Sequence, residues 1–529
     1  MADTFSNDLR LRLQESGSNA GTWGTLLNGT ITNIASALGQ GSEAIPNASS
    51  HTITLADGTA DEARSLYLKC TGGGQACTVT LGPNTISKVW IIDNATSYTL
   101  TFSQGSGANV AIAAGAVKVI ATDGAGSGAA VVDTLDGLEG SLSSLTVTGE
   151  LSTPSAGTSN TRVGVNAGNS IESGGNYNTV VGDEAGTAIT TADNNVAIGY
   201  AALEANTTGA DNVAVGALAG DALTTGSDNV VVGKNALSAD TLGRRSIAIG
   251  RSALSAQNFT STTSSYNVAV GYEAGAAVTT GVQNTLIGGL AGDALTTGLN
   301  NVAVGVRALG ADTLGFNSVA IGTDALRTQN FTSATATYNV AVGSDAGREV
   351  TTGTQNTLIG GLAGDAITTA SNNTAVGYAS FSANTTGTAN VAVGKDALLA
   401  NTTGSSNVAV GMDALTANTT AANNTAVGGN ALKANTTGAQ NTAVGGRSQE
   451  ATSTGSDNTS IGWGSLILNT TGTSNTVLGR SALAANTTAS YNTAVGRLSL
   501  LANTTGASNT AIGVSALTAN TTGTLNTAF

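Results

Sequence analysis

Small apolar residues alternate with Asn and Gly in a short unit that recurs along most of the chain. One copy, Asn390–Gly404, reads N-V-A-V-G-K-D-A-L-L-A-N-T-T-G. The Gly that closes N-V-A-V-G and its close variants recurs from Gly164 to Gly513. Of the 20 intervals between these 21 glycines, 17 are 17 residues long, one is 18 and two are 21. A fixed short period predicts a stacked repeat architecture.

The unit has the composition of one coil of a parallel β-solenoid or β-roll. We number each copy from the residue after its closing Gly, so that the next closing Gly is position 17. Gly and Asn tolerate the tight corners that such a coil needs. Positions 14 to 16 form the predicted strand. The Asn at position 13, such as Asn390 and Asn407, is expected to stack into a ladder of side-chain amides.

Both faces of the predicted strand are apolar. Side chains alternate along a strand, so positions 14 and 16 share one face and position 15 takes the other. We expect Val391 and Val393 to fill the coil interior. The other face is small and almost never charged, which indicates a strand covered on both sides. The expected cover is the same surface of other copies, giving a homotrimer with an interface at Ala392, Ala409, Ala426 and Ala443.

The rest of the chain differs in pattern and divides the sequence into four segments. The predicted fold is mainly β, with a short strand and helix at the N-terminus, a small sandwich-like domain and a long solenoid. The segments are an attachment segment at 1–45, a small β-rich domain at 46–135, a Ser/Gly-rich connector at 136–158 with one short strand at Leu145–Thr148, and the repeat shaft at 159–529.

The attachment segment contains a strand-like alternation at Leu9–Leu13 and then a predicted helix. Apolar residues at spacings of mostly three and four begin at Trp23, and Gly39 ends the pattern. Two interpretations stay open: the helix packs on its own domain, or it docks on a partner or on further copies. The docking candidates are Trp23, Leu26, Leu27, Ile31 and Ile34.

The second segment is predicted to be a small sandwich or barrel, because short runs of β-forming residues alternate with turn clusters. Its expected core residues are Trp90, Ile92 and Phe102. The predicted strands are His51–Leu55, Ser65–Cys70, Cys77–Leu81, Lys88–Asp93, Tyr98–Phe102, Val117–Thr122 and Ala129–Leu135.

Composition narrows the choice of function. Aromatic residues make up 4% of the chain, which suits a thin core of small side chains. The net charge is −14 without a basic run, so we expect no nucleic-acid partner. The sequence shows no apolar run of membrane-spanning or signal-peptide length, so we expect assembly in a cytoplasm without membrane insertion. Cys70 and Cys77 are the only cysteines, and reduced thiols are favoured.

No motif for catalysis stands out. His51 is the only histidine, which argues against a Cys/His zinc site, and no nucleophile or phosphate-binding motif appears. We therefore expect no enzyme, no cofactor and no metal. A polysaccharide depolymerase with paired carboxylates is a weaker alternative, and so is an ice-binding solenoid. Two four-residue insertions carry aromatic rings at Phe259, Tyr266, Phe331 and Tyr338. These rings are candidates for receptor contact by stacking on sugars; alternatively, they cap the local core or bind neighbouring chains.

Two stretches carry a resemblance to known families. L-R-L-R-L-Q-E-S-G-S-N-A-G-T-W-G-T-L-L-N, from Leu9 to Asn28, resembles the N-terminal segment of bacteriophage tail fibres, and S-K-V-W-I-I-D-N-A-T-S from Ser87 resembles a small β-domain of such fibres. That resemblance implies a virion component that binds a tail, baseplate or adaptor protein through residues 1–45 and a polysaccharide or protein of the host surface. The alternative is a β-solenoid surface adhesin.

The repeat itself resembles a second family. Its A-I-G and A-V-G strands with a preceding Asn are similar to the heads of trimeric autotransporter adhesins, which are left-handed parallel β-rolls packed as homotrimers. This resemblance implies two further copies of the chain as partners.

Overall fold

The chain forms two compact units, Met1–Thr148 and Gly149–Phe529. This computed structural model describes residues 4–5, 12–13, 21–55, 61–135 and 156–529. Most of the predicted connector, including its strand at Leu145–Thr148, lies outside the described residues.

The first unit consists of one helix, two 3-10 turns and eleven strands within its described residues. The 3-10 turns are Glu62–Arg64 and Gly126–Gly128. The other elements are β1 Thr4–Phe5, β2 Arg12–Leu13, α1 Trp23–Leu38, β3 Gln40–Ile45, β4 Ser50–Thr54, β5 Tyr67–Gly72, β6 Cys77–Gly82, β7 Ser87–Asn94, β8 Leu100–Ser103, β9 Val110–Ile112, β10 Val117–Asp123 and β11 Val131–Asp133.

Two sheets enclose the core of this unit. One has the order β11-β10-β7-β5-β3 and the other β4-β6-β8-β9. From β3 to β8 the chain alternates between the sheets, and strands two apart pair in parallel, as β3 with β5 and β4 with β6. Antiparallel β9, β10 and β11 complete the sheets. The predicted sandwich-like organisation is confirmed, although β3 and β9 were not predicted.

The predicted core residues of the first unit are buried between the sheets. Trp90 is 1% exposed, and Ile92 and Phe102 are fully buried. The indole Nε1 of Trp90 donates a hydrogen bond to the carbonyl oxygen of Ala63 at 3.2 Å, so its polar atom is satisfied. Cys70 and Cys77 are free and buried, as the sequence favours.

The second unit is a parallel β-solenoid in which each coil contributes one short strand to the main sheet. Around the two insertions, four two-residue strands form two further small sheets: Gly243–Arg244 with Thr263–Ser264, and Gly315–Phe316 with Thr335–Ala336. Its main sheet has 22 strands, each paired in parallel with the next. The fold class predicted from the 17-residue period is confirmed. The strands are Thr161–Val163, Thr179–Val181, Val196–Ile198, Val213–Val215, Val230–Val232, Ile247–Ile249, Val268–Val270, Thr285–Ile287, Val302–Val304, Val319–Ile321, Val340–Val342, Thr357–Ile359, Thr374–Val376, Val391–Val393, Val408–Val410, Thr425–Val427, Thr442–Val444, Thr459–Ile461, Thr476–Leu478, Thr493–Val495, Thr510–Ile512 and Thr527–Ala528.

Asn side chains at position 13 form the predicted ladder inside the solenoid. The backbone N–H of Asn407 donates to Oδ1 of Asn390 at 3.0 Å, and Nδ2 of Asn407 donates to the carbonyl oxygen of Ala421 at 2.9 Å. A second ladder runs along position 7, where Nδ2 of Asn418 donates to Oδ1 of Asn401 at 2.7 Å. These amides thus bind the neighbouring coil and satisfy buried polar atoms, except where the position 7 ladder stops and Oδ1 of Asn435 has no hydrogen-bond partner.

Two kinds of coil fill the same interior space. Where position 4 is Leu, as at Leu398, position 7 usually carries an amide or carboxylate, such as Asn401. Where position 4 is Gly, as at Gly364, position 7 is aliphatic, here Ile367. A Cβ added to Gly364 would lie 2.7 Å from Cδ1 of Ile367. A large side chain therefore fills this interior space from either position 4 or position 7.

The apolar core of the solenoid is interrupted once by polar side chains. One apolar cluster ends at Ala443 and another begins at Leu466. Between them, Gln449 occupies position 4, and its buried Oε1 has no hydrogen-bond partner. The coils on either side of this break are therefore held together by hydrogen bonds more than by apolar contacts.

Candidate functional site

The strand of each coil presents its small residue to the interior, which is the reverse of the prediction. Ala392, Ala409, Ala426 and Ala443 are fully buried within the single chain and belong to its core. They cannot form a trimer interface. The reason is interior volume: at position 15 a larger Leu286 occurs where its own coil and the next one both have Gly at position 4, and a Cβ added to Gly275 would lie 2.6 Å from Cδ1 of Leu286.

The outward face of the same strands is β-branched and uncharged. Positions 14 and 16 point away from the core, and the burial pattern of Val391–Val393 repeats along the sheet. Apart from the half-buried Ile249, the Ile and Leu side chains at position 16 are 37% to 47% exposed. All 21 three-residue strands of the main sheet carry only Val, Ile, Thr or Leu at these two positions. We call this surface the strand face.

Charged and aromatic side chains border the strand face without entering it. Position 12 lies two residues before each strand, and position 1 follows the closing Gly. All seven Tyr of the solenoid and its one Trp occupy these two columns, and each is exposed. They are Tyr177, Tyr266, Tyr338 and Tyr491 at position 12, and Tyr200, Tyr272, Tyr378 and Trp463 at position 1.

The position 1 rings stack along the solenoid axis. Cζ of Arg480, one coil further on, lies 5.5 Å from the centre of the Trp463 ring, and a Cβ added to Gly446 on the other side would lie 3.3 Å from its Cδ1. Cζ of Arg251, in the preceding coil, lies 5.6 Å from the centre of the Tyr272 ring. Neighbouring coils therefore fix these rings in place.

The two insertions bury their Phe side chains and expose their Tyr side chains. Phe259 and Phe331 are 4% and 6% exposed, which contradicts their assignment as receptor contacts: each ring covers the core beneath its loop. Tyr266 and Tyr338 are more than half exposed. The Tyr266 hydroxyl accepts a hydrogen bond from Nη1 of Arg245 at 2.9 Å. Of the four candidates, only the two Tyr are accessible.

A buried carboxylate supports each insertion, which the sequence pattern did not reveal. Asp240 replaces the usual Asn of position 7 and accepts hydrogen bonds from Nε2 of Gln257 at 2.6 Å and from the backbone N–H of Gly243 at 2.9 Å. Oε1 of Gln257 in turn accepts from Nδ2 of Asn267 at 2.8 Å. Because Gln257 points its amide group at position 240, an acceptor is required there. Burial raises the pKa of Asp240, and Asp312 repeats this arrangement with Gln329.

The Thr pair at positions 8 and 9 divides between two roles. Oγ1 of Thr402 donates to the carbonyl oxygen of Thr419 at 3.1 Å, while Thr403 is exposed. Adjacent Thr residues therefore point in different directions. Only one of each pair presents its side chain to solvent, and this disfavours an ice-binding surface of paired Thr columns.

The N-terminal helix α1 exposes an apolar stripe. Leu27, Ile31 and Leu38 are 48%, 55% and 72% exposed, and Ile34 lies between them on the same stripe. Leu26 is half-buried, whereas the side chain of Trp23 lies outside the described residues. Spacings of four, three and four from Leu27 to Leu38 match the seam of a coiled coil. The members from Leu27 to Leu38 are therefore not packed on their own domain, which favours the interpretation in which the helix docks on a partner or on further copies.

Groups for chemistry are sparse in the described parts of the chain. No three His, Cys, Asp or Glu side chains there lie together as potential metal ligands. Burial, with added repulsion from Glu43 and Asp93, raises the pKa of the Cys70 thiol to about 12, so it stays protonated near neutral pH. None of the described helices has the length and hydrophobicity needed to cross a membrane.

Known proteins do not identify the chain. It matches no family model, no curated protein and no solved structure. The strand face, its aromatic borders and the stripe of α1 are therefore the observations on which a function must rest.

Proposed function

We propose that the chain is a tail-fibre protein of a bacteriophage, which attaches to the virion through its N-terminal segment and projects a trimeric solenoid shaft toward the host surface. The observation that carries the proposal is the 22-stranded parallel solenoid, a fold that fits a fibrous or adhesin-like structural role. In this role the chain is a structural protein and not an enzyme.

The exposed stripe of α1 supports attachment through residues 1–45. A monomer would leave Leu27, Ile31 and Leu38 in water, although burying each would contribute about 1.5–3 kcal/mol. The helix carries no charged residue that would keep this surface soluble. The occupant in this proposal is an apolar groove on a tail, baseplate or adaptor protein of the virion.

Localisation on virions tests the proposal directly. Antibodies raised against the solenoid unit are expected to label the tails of purified virions in electron micrographs. The chain's absence from purified virions, when it is abundant in the producing cell, would contradict the assignment.

Substitutions in α1 test the mode of attachment. Ile31→Asp places a charge on the stripe, and we expect it to reduce incorporation of the chain into virions at least tenfold. Asn28→Asp is the matched control, because Asn28 is exposed on the same helix away from the stripe and should leave incorporation unchanged. Equal incorporation of both variants would show that the stripe is not the attachment surface.

A further inference from the structure

We infer that the strand face is the surface through which copies of this chain bind one another, with the Tyr and Trp columns at positions 12 and 1 as its rim. The inference rests on the trimeric shaft proposed above and identifies the residues that hold it together. It replaces the predicted interface at the position 15 alanines, which are buried inside each chain.

The distribution of charge is the first argument. The strand face carries no ionisable residue at positions 14 and 16 in any of its 21 three-residue strands, although the chain has 19 Lys and Arg and 33 Asp and Glu. Charges reappear in both bordering columns, for instance at Asp211 and Asp228 in position 12 and at Lys234 and Arg251 in position 1. An uncharged centre with a polar rim is the organisation of a protein–protein interface.

The placement of aromatic residues is the second argument. Tyr and Trp are enriched in interfaces, because their rings provide large contact areas and can still donate hydrogen bonds. All eight such residues in the solenoid flank the strand face, and the other columns carry none. A role confined to the core of one chain would bury these rings, yet each is exposed.

The size and spacing of the face identify the occupant. With 22 strands about 4.8 Å apart, each of about three residues at about 3.3 Å per residue, the face covers roughly 100 Å by 10 Å. This area of about 1,000 Å² per chain exceeds the roughly 800 Å² that each partner contributes to a stable interface. A surface corrugated at one strand spacing along its whole length is matched by another parallel solenoid with the same repeat. A second copy of this chain has that repeat.

A pair of charge substitutions on the full-length chain tests the inference. Val393→Lys with Val427→Lys introduces two cations on the strand face in coils that are not adjacent. Thr386→Lys with Thr420→Lys is the control. It adds the same two charges to the same two coils, but at position 9, which is exposed and lies away from the face. Light scattering would give the mass of each protein, and circular dichroism would show that each is folded. We expect the unsubstituted chain and the position 9 variant to have a mass that is a multiple of 51.5 kDa. The variant with two Lys on the strand face should have the mass of one chain, 51.5 kDa.

Cysteine cross-linking gives an independent readout that does not require dissociation. Cys70 and Cys77 are buried, so an introduced thiol would be the reactive one. A short bis-maleimide is expected to join copies that carry Val393→Cys and to leave copies that carry Thr386→Cys as single chains.

The outcomes separate the inference from the proposed function. A face variant that keeps the mass of the unsubstituted protein, together with no cross-linking through position 393, would overturn the interface and leave a fibre assembled by another surface. An unsubstituted chain of 51.5 kDa at every concentration would overturn both the interface and the trimer, whereas attachment to virions would still be decided by antibody labelling.

Discussion

At the scale of single residues, burial stabilises backbone conformations that side chains ordinarily avoid. Leu398 and Leu415 adopt left-handed φ values of 51° and 53°, and Leu recurs in this conformation at position 4 of many coils. Such a conformation costs on the order of 1–3 kcal/mol at each site. Both side chains are fully buried in the core, so apolar burial of comparable size offsets the strain.

Buried carboxylates give the solenoid a stability that depends on pH. Burial raises the pKa of Asp240 and Asp312, and it does the same for Asp221, Asp293 and Asp365 at position 5. A carboxyl whose pKa is higher when folded binds more protons in the folded state. Its contribution is fully present below the unfolded pKa of about 3.9 and is lost as pH rises through the folded pKa. We expect the free energy of unfolding, measured with urea, to decrease from pH 4 toward neutral.

One substitution isolates this effect. Asp365→Asn removes a carboxylate whose Oδ1 is buried without a partner, and it should make the free energy of unfolding depend less on pH than in the unsubstituted chain. Asp457→Asn makes the same change of charge at an exposed position and serves as the control. A pH dependence that both variants reduce equally would point to net charge as the cause.

At the scale of the coil, the sequence was sufficient for the repeat but not for its orientation. The 17-residue period, the strand at positions 14 to 16 and the Asn ladder could all be predicted, because each depends on spacing alone. Alternation along a strand separates two faces without telling which is inside, and here both are apolar. Interior volume decided the orientation: where a side chain such as Leu398 fills the coil, the residue opposite is small, as Ala392 is.

The alternative fillings of the coil predict a strong coupling between positions 4 and 7. Leu398→Gly alone should destabilise the solenoid by about 3–5 kcal/mol through the cavity it leaves. Asn401→Leu alone should destabilise it by overpacking and by removing one rung of the amide ladder. The double variant reproduces the arrangement of Gly364 with Ile367, so its loss should be smaller than the sum of the two. Urea unfolding of all four proteins measures the coupling, and additive losses would contradict the shared space.

The polar break in the core offers a site for stabilisation. Gln449→Leu would restore the column of Leu432 and Leu466 and remove a buried acceptor that has no partner. We expect the free energy of unfolding to rise by about 1–2 kcal/mol. Leu432→Gln makes the reverse change and extends the polar break by one coil, so it should lower the free energy of unfolding. A Gln449→Leu chain that is less stable would show that the polar contacts of this coil outweigh its missing apolar ones.

At the scale of the whole solenoid, each coil contacts only its neighbours in the stack. Strand pairs, amide ladders and Thr hydroxyls all join residues about one coil apart in sequence, such as Asn390 with Asn407 and Thr402 with Thr419. Stability in such an array is a sum of coil and neighbour terms. The length of the solenoid can therefore change without changing its cross-section.

This independence predicts that whole coils can be removed. Deleting residues 344–411 takes out 68 residues, four units of 17, and brings Met412 directly after Gly343 at the same position of the repeat. The remaining coils should stack as before, and the solenoid should shorten by about 19 Å, four strand spacings.

Deleting 344–403 instead removes 60 residues, which is not a multiple of 17, and joins strands out of phase with the Asn ladder. Electron microscopy should show a shorter rod for the first deletion, and thermal unfolding should show a loss of stability for the second alone. If both deletions were equally tolerated, stacking in register would not be what holds the coils together.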